Sequence, residues 1–146
     1  MLKSMTSLTF PDVNVWLALL LADHVHRTAA LEWWESVDSE SIAFCRWTQI
    51  SVLRLLTTAA AMNGKPLSMK QAWRAYDRLF EDERVAFMPE PNTLESEFRR
   101  RASSGLPSPK VWADAYLVAL ALTTNATIVT FDKALEHRGA HCLVLR

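Results

Sequence analysis

The sequence predicts an α/β domain with a central, mostly parallel sheet of four to five strands, covered by helices on both faces. Short apolar runs of strand length alternate along the 146 residues with longer segments whose apolar positions recur with helical spacing. Strands joined through helices pair in parallel, because each crossover returns the chain to the same end of the sheet. We find no repeat, low-complexity tract or long linker, so residues 1–146 are expected to form a single domain.

The first half of the chain predicts two strands and four helices. Residues 8–11 and 42–45 are short apolar runs typical of buried strands. Between them, a very apolar segment predicts a buried helix, and the next segment has an amphipathic, helical pattern. Two further helices are predicted after N-cap residues. The four predicted helices are Val15 to Ala22, His24 to Val37, Thr48 (as N-cap) to about Met62, and Met69 to Glu81 after Ser68.

The second half predicts three strands and two helices. The strands are expected at 85–88, 127–131 and 141–145. Thr93 is a predicted N-cap for a helix that reaches about Ala102. Ser108 followed by proline predicts the start of another helix, which runs to about Thr124, because proline suits the first helical position.

Composition excludes several classes of protein. The 16 basic and 16 acidic residues cancel, so no overall charge indicates nucleic-acid binding. Cys45 and Cys142 lack metal-site spacing and are predicted to be buried thiols in a reducing compartment. Met1 to Thr9 has no signal-peptide pattern, and the longest apolar run is too short to cross a bilayer. A cytoplasmic protein without a membrane partner is therefore expected.

Three isolated aspartates are the candidate functional residues. Asp12 and Asp132 each follow a predicted strand, and Asp114 interrupts an otherwise apolar helix. Residues just beyond the carboxyl ends of parallel strands converge on one crevice. A carboxylate is costly to bury unless it is paired or bound to a cation. Three such acids together would form an oxygen-rich site suited to Mg²⁺ or Mn²⁺.

Each aspartate also has a structural interpretation. Asp12 and Asp132 could cap the helix or turn that follows each of them. Asp114 could form a salt bridge, for example with Arg54 or Lys110. A shared metal site accounts for all three acids together better than three separate structural roles do.

Several motifs resemble those of a known family. Phe10 to Leu17 (FPDVNVWL) resembles an apolar strand followed by Asp-Val-Asn, and Trp112 to Ala121 (WADAYLVALA) resembles a helix bearing a later acid. Ile128 to Asp132 (IVTFD) resembles a last acidic motif, and residues 23–34 are similar to a second helix. Their order and spacing resemble the PIN-domain ribonucleases, and most closely the VapC toxins of type II toxin–antitoxin modules.

The resemblance implies a three-layer α/β/α domain that cleaves single-stranded or loop regions of RNA. In this family, clustered acids bind one or two Mg²⁺ or Mn²⁺ ions, which activate a water molecule for attack on the phosphate. It assigns the metal to Asp12, Asp114 and Asp132, and it places the Thr130 hydroxyl in the same pocket. Asn14 is assigned to orient a carboxylate or the substrate. The implied partners are RNA, a VapB-type antitoxin, and a second copy of the chain.

The chain departs from the family at one position. The family usually has a glutamate where Gln49 stands in residues 46–54 (RWTQISVLR). An amide oxygen can accept a hydrogen bond or bind a metal, but it supplies no charge and cannot act as a base. Gln49 is kept among the catalytic candidates, and Glu90 or Glu95 could replace the missing acid. Arg46 and Arg54, which flank Gln49, could bind RNA or pair with the aspartates.

Other interpretations remain open. A catalytically weak PIN-like module could bind RNA or a protein without cutting, and a haloacid-dehalogenase-type phosphatase is a third possibility. That phosphatase requires a second aspartate where this chain has Asn14. The run Arg99 to Arg101 predicts a solvated helix face more than a phosphate contact. Val15 to Ala22 and the Trp33–Trp34 helix are expected to contribute to a dimer face and an antitoxin groove.

Overall fold

The computed structural model describes residues 7–38 and 41–146. In this part of the chain, the strands are β1 (Leu8–Pro11), β2 (Ser41–Phe44), β3 (Val85–Phe87), β4 (Thr127–Thr130) and β5 (His141–Val144). The helices are α1 (Val13–Leu20), α2 (Arg27–Ser36), α3 (Arg46–Leu56), α4 (Met69–Leu79), α5 (Leu94–Arg101) and α6 (Val111–Thr124), with a 3₁₀ turn at Lys133–His137. The signal-peptide prediction concerns Met1 to Thr9, most of which lies outside the described residues.

All five strands pair in parallel, in the order β3-β2-β1-β4-β5. The predicted α/β class and parallel sheet are therefore confirmed, and each predicted strand is present to within one residue at either end. The central strand β1 carries Thr9 and Phe10 opposite Thr127 and Ile128 of β4. This register determines which side chains meet where the two strands end.

Helices cover both faces of the sheet, because the chain reverses its direction across the sheet once. The chain moves outward from β1 to β2 to β3, then crosses back to β4 and continues outward to β5. Since parallel crossovers are right-handed, this reversal places α1 to α4 on one face and α5 and α6 on the other. Side chains alternate accordingly along β2, where Phe44 packs in the first layer and Ala43 in the second.

Four predicted helix starts were wrong by two or three residues, and the first of them, α1, begins at Val13 rather than Val15. Helix α3 begins at Arg46, with Cys45 as its N-cap, and Thr48 is the third helical residue. The Thr48 hydroxyl instead accepts a hydrogen bond from the Cys45 N–H at 3.0 Å. Helix α6 begins at Val111, because a Val111-to-Ser108 backbone hydrogen bond closes a turn before it. Helix α2 begins at Arg27 rather than near His24.

Two further expectations need correction. Val15 to Ala18 of α1 and Trp33 of α2 are buried in the protein's own core, so this part of the expected dimer face is not available, whereas Leu19 to Ala22 and Trp34 keep some exposed surface. Cys45 is buried as predicted, but Cys142 is only half-buried. Burial raises the pKa of the Cys142 thiol to about 11. None of the helices in residues 7–38 and 41–146 is long and apolar enough to cross a membrane.

An arginine joins the first helical layer to the sheet. The Arg84 guanidinium, just before β3, donates to the carbonyl oxygens of Trp34 and Val37 at 2.8 and 2.6 Å. It also forms two hydrogen bonds with the Asp82 carboxylate, at 3.0 and 2.8 Å, and lies over the Trp34 ring. Arg84 therefore fixes the end of α2 against the edge of the sheet.

Asp82 makes the free energy of unfolding depend on pH in the acidic range. The hydrogen bond from Arg84 lowers the pKa of Asp82 below its usual value. A carboxyl whose pKa is lower in the folded state stabilises the fold above its unfolded pKa of about 4. That contribution is lost as the pH falls through the folded pKa. We expect Asp82→Asn to reduce the free energy of unfolding by about 1 kcal/mol at pH 7 and by much less near pH 3.

Urea denaturation between pH 3 and pH 7 measures this effect. Asp77→Asn is the matched control, because Asp77 is exposed on α4. Equal losses of stability for Asp82→Asn at pH 3 and pH 7 would contradict the assigned role of the ion pair.

Candidate active site

The topology places a crevice between the carboxyl ends of β1 and β4. These strands are neighbours, yet the chain leaves β1 toward the α1 layer and leaves β4 toward the opposite layer, where Leu135 is buried. Ligand sites of open α/β sheets form where connections diverge in this way. Asp12 follows β1 directly, and Asp132 lies two residues beyond β4. The structure thus places both at this crevice.

The Asp12 carboxylate is held by two hydrogen bonds. One oxygen accepts from the Val13 N–H at 2.8 Å, and the other accepts from the Thr130 hydroxyl at 2.9 Å. The Asp12 N–H continues the sheet by donating to the Val129 carbonyl at 2.7 Å. The β1–β4 register would next pair Asp12 with Thr130, so the sheet itself brings these two side chains together. Thr130 is fully buried.

Asp114 lies in the first turn of α6, not in the middle of a helix as the sequence suggested. Helix α6 ends at Thr124 and turns at once into β4, so the helix runs antiparallel to that strand. From Asp114 to Thr124 the helix rises roughly 15 Å, and from Thr127 to Asp132 an extended chain covers roughly 17 Å. The start of α6 therefore lies level with the carboxyl end of β4.

The electrostatics of the three acids show that they interact. Burial raises the pKa of Asp12, against the opposing hydrogen bonds from Thr130 and Val13, and the Asp132 charge raises it further. Burial also raises the pKa of Asp114, and the charges on Asp12 and Asp132 add to this effect. Arg138 opposes it. A carboxylate whose pKa is raised by the charge of neighbouring carboxylates lies where a cation is favoured.

The structural interpretations of these acids are also observed. Asp12 is the N-cap of α1, and Asp132 caps the 3₁₀ turn by accepting from the Ala134 N–H at 2.9 Å. Each cap uses one carboxylate oxygen, which leaves lone pairs for other partners. Within the described residues, no salt bridge joins Asp114 to Arg54 or Lys110. The caps at Asp12 and Asp132 therefore leave carboxylate oxygens free for the predicted functional role.

The donor set fits a hydrated divalent cation better than a fully coordinated one. Within residues 7–38 and 41–146, no three acids, histidines or cysteines lie close enough to enclose a metal ion. Mg²⁺ usually keeps several of its waters and binds through one or two carboxylates. Asp12, Asp114 and Asp132 supply hard oxygen ligands of this type.

Gln49 is buried, and its amide oxygen is already used. The oxygen accepts a hydrogen bond from the Arg46 guanidinium at 2.6 Å. That guanidinium lies 4.5 Å from the centre of the Phe87 ring. Gln49 also hydrogen-bonds Tyr76, which opposes the rise in the Tyr76 pKa that burial causes. Gln49 thus belongs to a cluster with Arg46, Tyr76 and Phe87 beside the ends of β2 and β3.

Among the described residues, no hydrogen bond or salt bridge joins Asn14, Arg54, Glu90 or Glu95 to the three aspartates. Asn14 is exposed on α1. Arg54 is exposed beside an apolar groove between α3 and α4 that has a volume of about 310 Å³. Glu95 pairs with Arg99 on α5, and Glu90 accepts from the Tyr116 hydroxyl at 2.9 Å. Glu97 pairs with both remaining arginines of the run Arg99 to Arg101, which supports a solvated helix face.

Sequence reasoning missed two contributors to the site. Arg138 follows the 3₁₀ turn, and its charge lowers the pKa of Asp114. No motif or spacing identified it. His26 stacks on Phe131, with ring centres 4.4 Å apart, so the loop before α2 covers the residue next to Asp132. The short polar loop after an apolar helix was the available signal for His26.

Comparison with known proteins defines the family. The PIN domain matches residues 9–140, a span that includes all three aspartates. The chain belongs to the PIN-domain family. A ribonuclease named VapC41 from Mycobacterium tuberculosis is 42% identical over 133 residues, which cover 88% of this chain and 91% of VapC41. At this similarity, the chain belongs with the VapC proteins of the PIN-domain family.

Solved structures show the same fold at low sequence identity. The M. tuberculosis toxin VapC20, described as cleaving the sarcin–ricin loop, has a TM-score of 0.68 at 16% identity. The comparison covers 90% of this chain and 95% of VapC20. VapBC2 from Rickettsia felis, solved with a DNA fragment from its promoter, has a TM-score of 0.65 at 14% identity and covers 95% and 99% of the two chains. The three-layer architecture of this chain is thus that of PIN domains.

Proposed function

We propose that this PIN-domain protein is a divalent-metal-dependent endoribonuclease, the toxin of a VapBC-type module that acts in the cytoplasm. The observation that supports the proposal is the position of Asp12 and Asp132 beyond the neighbouring ends of β1 and β4, together with Asp114 in the first turn of α6, whose pKa their charges raise. The charges of Asp12 and Asp132, which raise the pKa of Asp114, support a shared cation. The 42% identity to the ribonuclease VapC41 supports RNA as the substrate. We also propose that residues 1–146 form one PIN domain.

In the proposed site, the three aspartates bind the metal ion and Thr130 positions two of them. Asp12, Asp114 and Asp132 would hold Mg²⁺ or Mn²⁺, and a bound ion of this kind supplies an activated water and neutralises charge on the phosphate. Thr130 holds Asp12 in place through its hydroxyl, and it also accepts from the Asp132 N–H at 3.0 Å. Thr130 is therefore a positioning residue that fixes two of the three acids relative to each other.

The proposed partners are a VapB-type antitoxin and a second copy of the chain. Likeness to VapBC2 supports an antitoxin. Apolar side chains that remain exposed on α3 and α4 also support a protein partner, namely Ile50, Met69 and Trp73, which are 54%, 72% and 46% exposed. These residues line the groove beside Arg54. They replace the apolar α1 segment as the expected contact surface.

RNA cleavage by the protein freed of antitoxin tests the proposed function. A mixed-sequence single-stranded RNA is incubated with Mg²⁺, with Mn²⁺ and with EDTA, beside an Asp114→Asn variant. We expect cutting that requires a divalent ion and that the variant lacks. Cutting that continues in EDTA would overturn the metal mechanism. RNA binding without cutting, under every condition and also with folded RNA substrates, would favour the binding-module alternative.

A further inference from the structure

We propose that Arg46 is a phosphate-binding residue of the RNA site, and that Gln49 is a positioning residue that orients Arg46 while leaving its charge uncompensated. This inference rests on the proposed function. It assigns to Gln49 a role different from that of a metal ligand or catalytic base, because the amide oxygen is engaged by Arg46 at 2.6 Å.

The geometry holds one part of the guanidinium and leaves the rest accessible. Gln49 is buried, with 7% of its surface exposed, so its amide is a fixed acceptor. The Arg46 side chain is exposed, and one face of its guanidinium packs on the Phe87 ring. An arginine has five N–H donors in a rigid, planar group. One hydrogen bond and one ring contact fix that plane and leave several donors free for a phosphate.

The positive charge of Arg46 has no acidic partner in this cluster. Within the described part of the chain, no carboxylate lies within salt-bridge distance of Arg46. The groups around Arg46 are the Gln49 amide, the Tyr76 phenol and the Phe87 ring. All three are neutral. A glutamate at position 49 would form an ion pair at the same distance and cancel most of the positive charge. A glutamine therefore keeps an oriented cation available.

The position suits a phosphate of the same RNA strand that crosses the three acids. Arg46 begins α3 just beyond β2, and Phe87 ends β3. Both therefore lie on the side of the sheet formed by the carboxyl ends of the strands, where Asp12 and Asp132 also lie. Neighbouring strands are about 4.8 Å apart, so the end of β3 lies roughly 10 Å from the end of β1. An RNA strand that runs across the carboxyl ends of these strands would place one phosphate at the acids and a neighbouring one at Arg46.

The salt dependence of RNA binding tests the inference. Fluorescein-labelled, mixed-sequence single-stranded RNA is titrated with the full chain in an Asp114→Asn background, across a series of NaCl concentrations. Binding weakens as salt rises, and each phosphate contact contributes about 0.7 to the magnitude of the slope of log K against log salt for single strands, so slopes are given as magnitudes. We expect Arg46→Ala to lower that slope by about 0.7 and to weaken binding several-fold. Gln49→Glu is expected to lower the slope by a similar amount although Arg46 is still present.

Three controls separate this role from a structural one. Gln49→Met removes the acceptor but adds no charge, so binding weakens while the slope is kept. Gln71→Glu makes the same change of charge at an exposed capping position of α4, and Arg74→Ala removes an exposed arginine. Both are expected to leave the slope unchanged, and unfolding temperatures show that the variants are folded.

The possible results separate the inference from the function on which it rests. A parent protein that binds RNA, with an unchanged slope for Gln49→Glu, would overturn the inference alone. A slope lowered equally by Gln71→Glu would also overturn it, because the effect would then come from net charge. Loss of antitoxin binding in Arg46→Ala, with RNA binding intact, would assign the arginine to the protein partner. A parent that neither binds nor cuts RNA would overturn the proposed function as well.

Discussion

Asp12→Asn is expected to abolish RNA cleavage and, at the same time, to stabilise the metal-free protein. Asp12 is the acid held most firmly in the site, by the Val13 N–H and the Thr130 hydroxyl. Loss of an outer-shell partner of a metal ligand alone costs about 10- to 100-fold in affinity or activity. Removal of a ligand charge should therefore lower the cleavage rate by more than about 100-fold, measured at saturating Mg²⁺ or Mn²⁺.

The gain in stability follows from the sign of the pKa shift. Burial raises the pKa of Asp12 above its unfolded value. An acid with a raised folded pKa contributes its stability at low pH and loses it as the pH rises through that pKa. At pH 7 the native carboxylate is thus held at a cost, and a neutral asparagine avoids that cost. We expect the unfolding temperature of Asp12→Asn in EDTA to exceed that of the native protein at pH 7, by a margin that shrinks toward pH 4.

The local structure can accept the asparagine. Its oxygen can still accept from the Val13 N–H, and asparagine is as good an N-cap as aspartate. The Thr130 hydroxyl has two lone pairs, so it can accept from the new amide as well as from the Asp132 N–H. Asp77→Asn on the exposed face of α4 serves as the control, with unchanged cleavage. An Asp12→Asn protein that is less stable than the native one in EDTA would contradict the assigned cost of burial.

The sequence predicted the strands well because their signal is local. Each strand is a mostly apolar run of three or four residues bounded by polar or turn-forming residues, and its neighbours in space do not change that pattern. Helix starts were less predictable. Cys45 is an unusual N-cap, and the hydroxyl of Thr48 completes the cap from inside the helix, so the more typical capping residue was misassigned.

The sequence could name candidate site residues, which stay a prediction, but it could not predict most of the contacts that the structure gives them. Asp12 and Asp132 follow strands, which is a position that sequence shows directly. The Asp12–Thr130 hydrogen bond depends on the β1–β4 register, which joins residues 118 positions apart. The Arg46–Gln49 hydrogen bond did have a signal, because residues three apart share one side of a helix. Arg138 comes near enough to lower the pKa of Asp114 only in the folded chain, so no spacing along the sequence indicates it.

Phe44→Ala is expected to lower the free energy of unfolding by about 3–5 kcal/mol. Phe44 is fully buried at the end of β2 and stacks on Trp16 of α1, with ring centres 3.9 Å apart. It also contacts Tyr76 and Phe80, with ring centres at 4.8 and 6.1 Å. Truncation would leave these three rings around a cavity. Because small domains have a free energy of unfolding of only about 5–15 kcal/mol, this variant would lose much of its stability.

Urea denaturation followed by tryptophan fluorescence measures this loss, and two variants calibrate it. Phe44→Leu keeps most of the volume and should cost much less, and Trp112→Ala removes an aromatic ring that is 58% exposed. The effect on function separates the core from the site. Phe44→Ala should reduce cleavage only as the folded fraction falls, so that activity recovers on cooling or with a stabilising osmolyte. Asp12→Asn should remain inactive under the same conditions, because its fold is intact and the missing carboxylate is not restored.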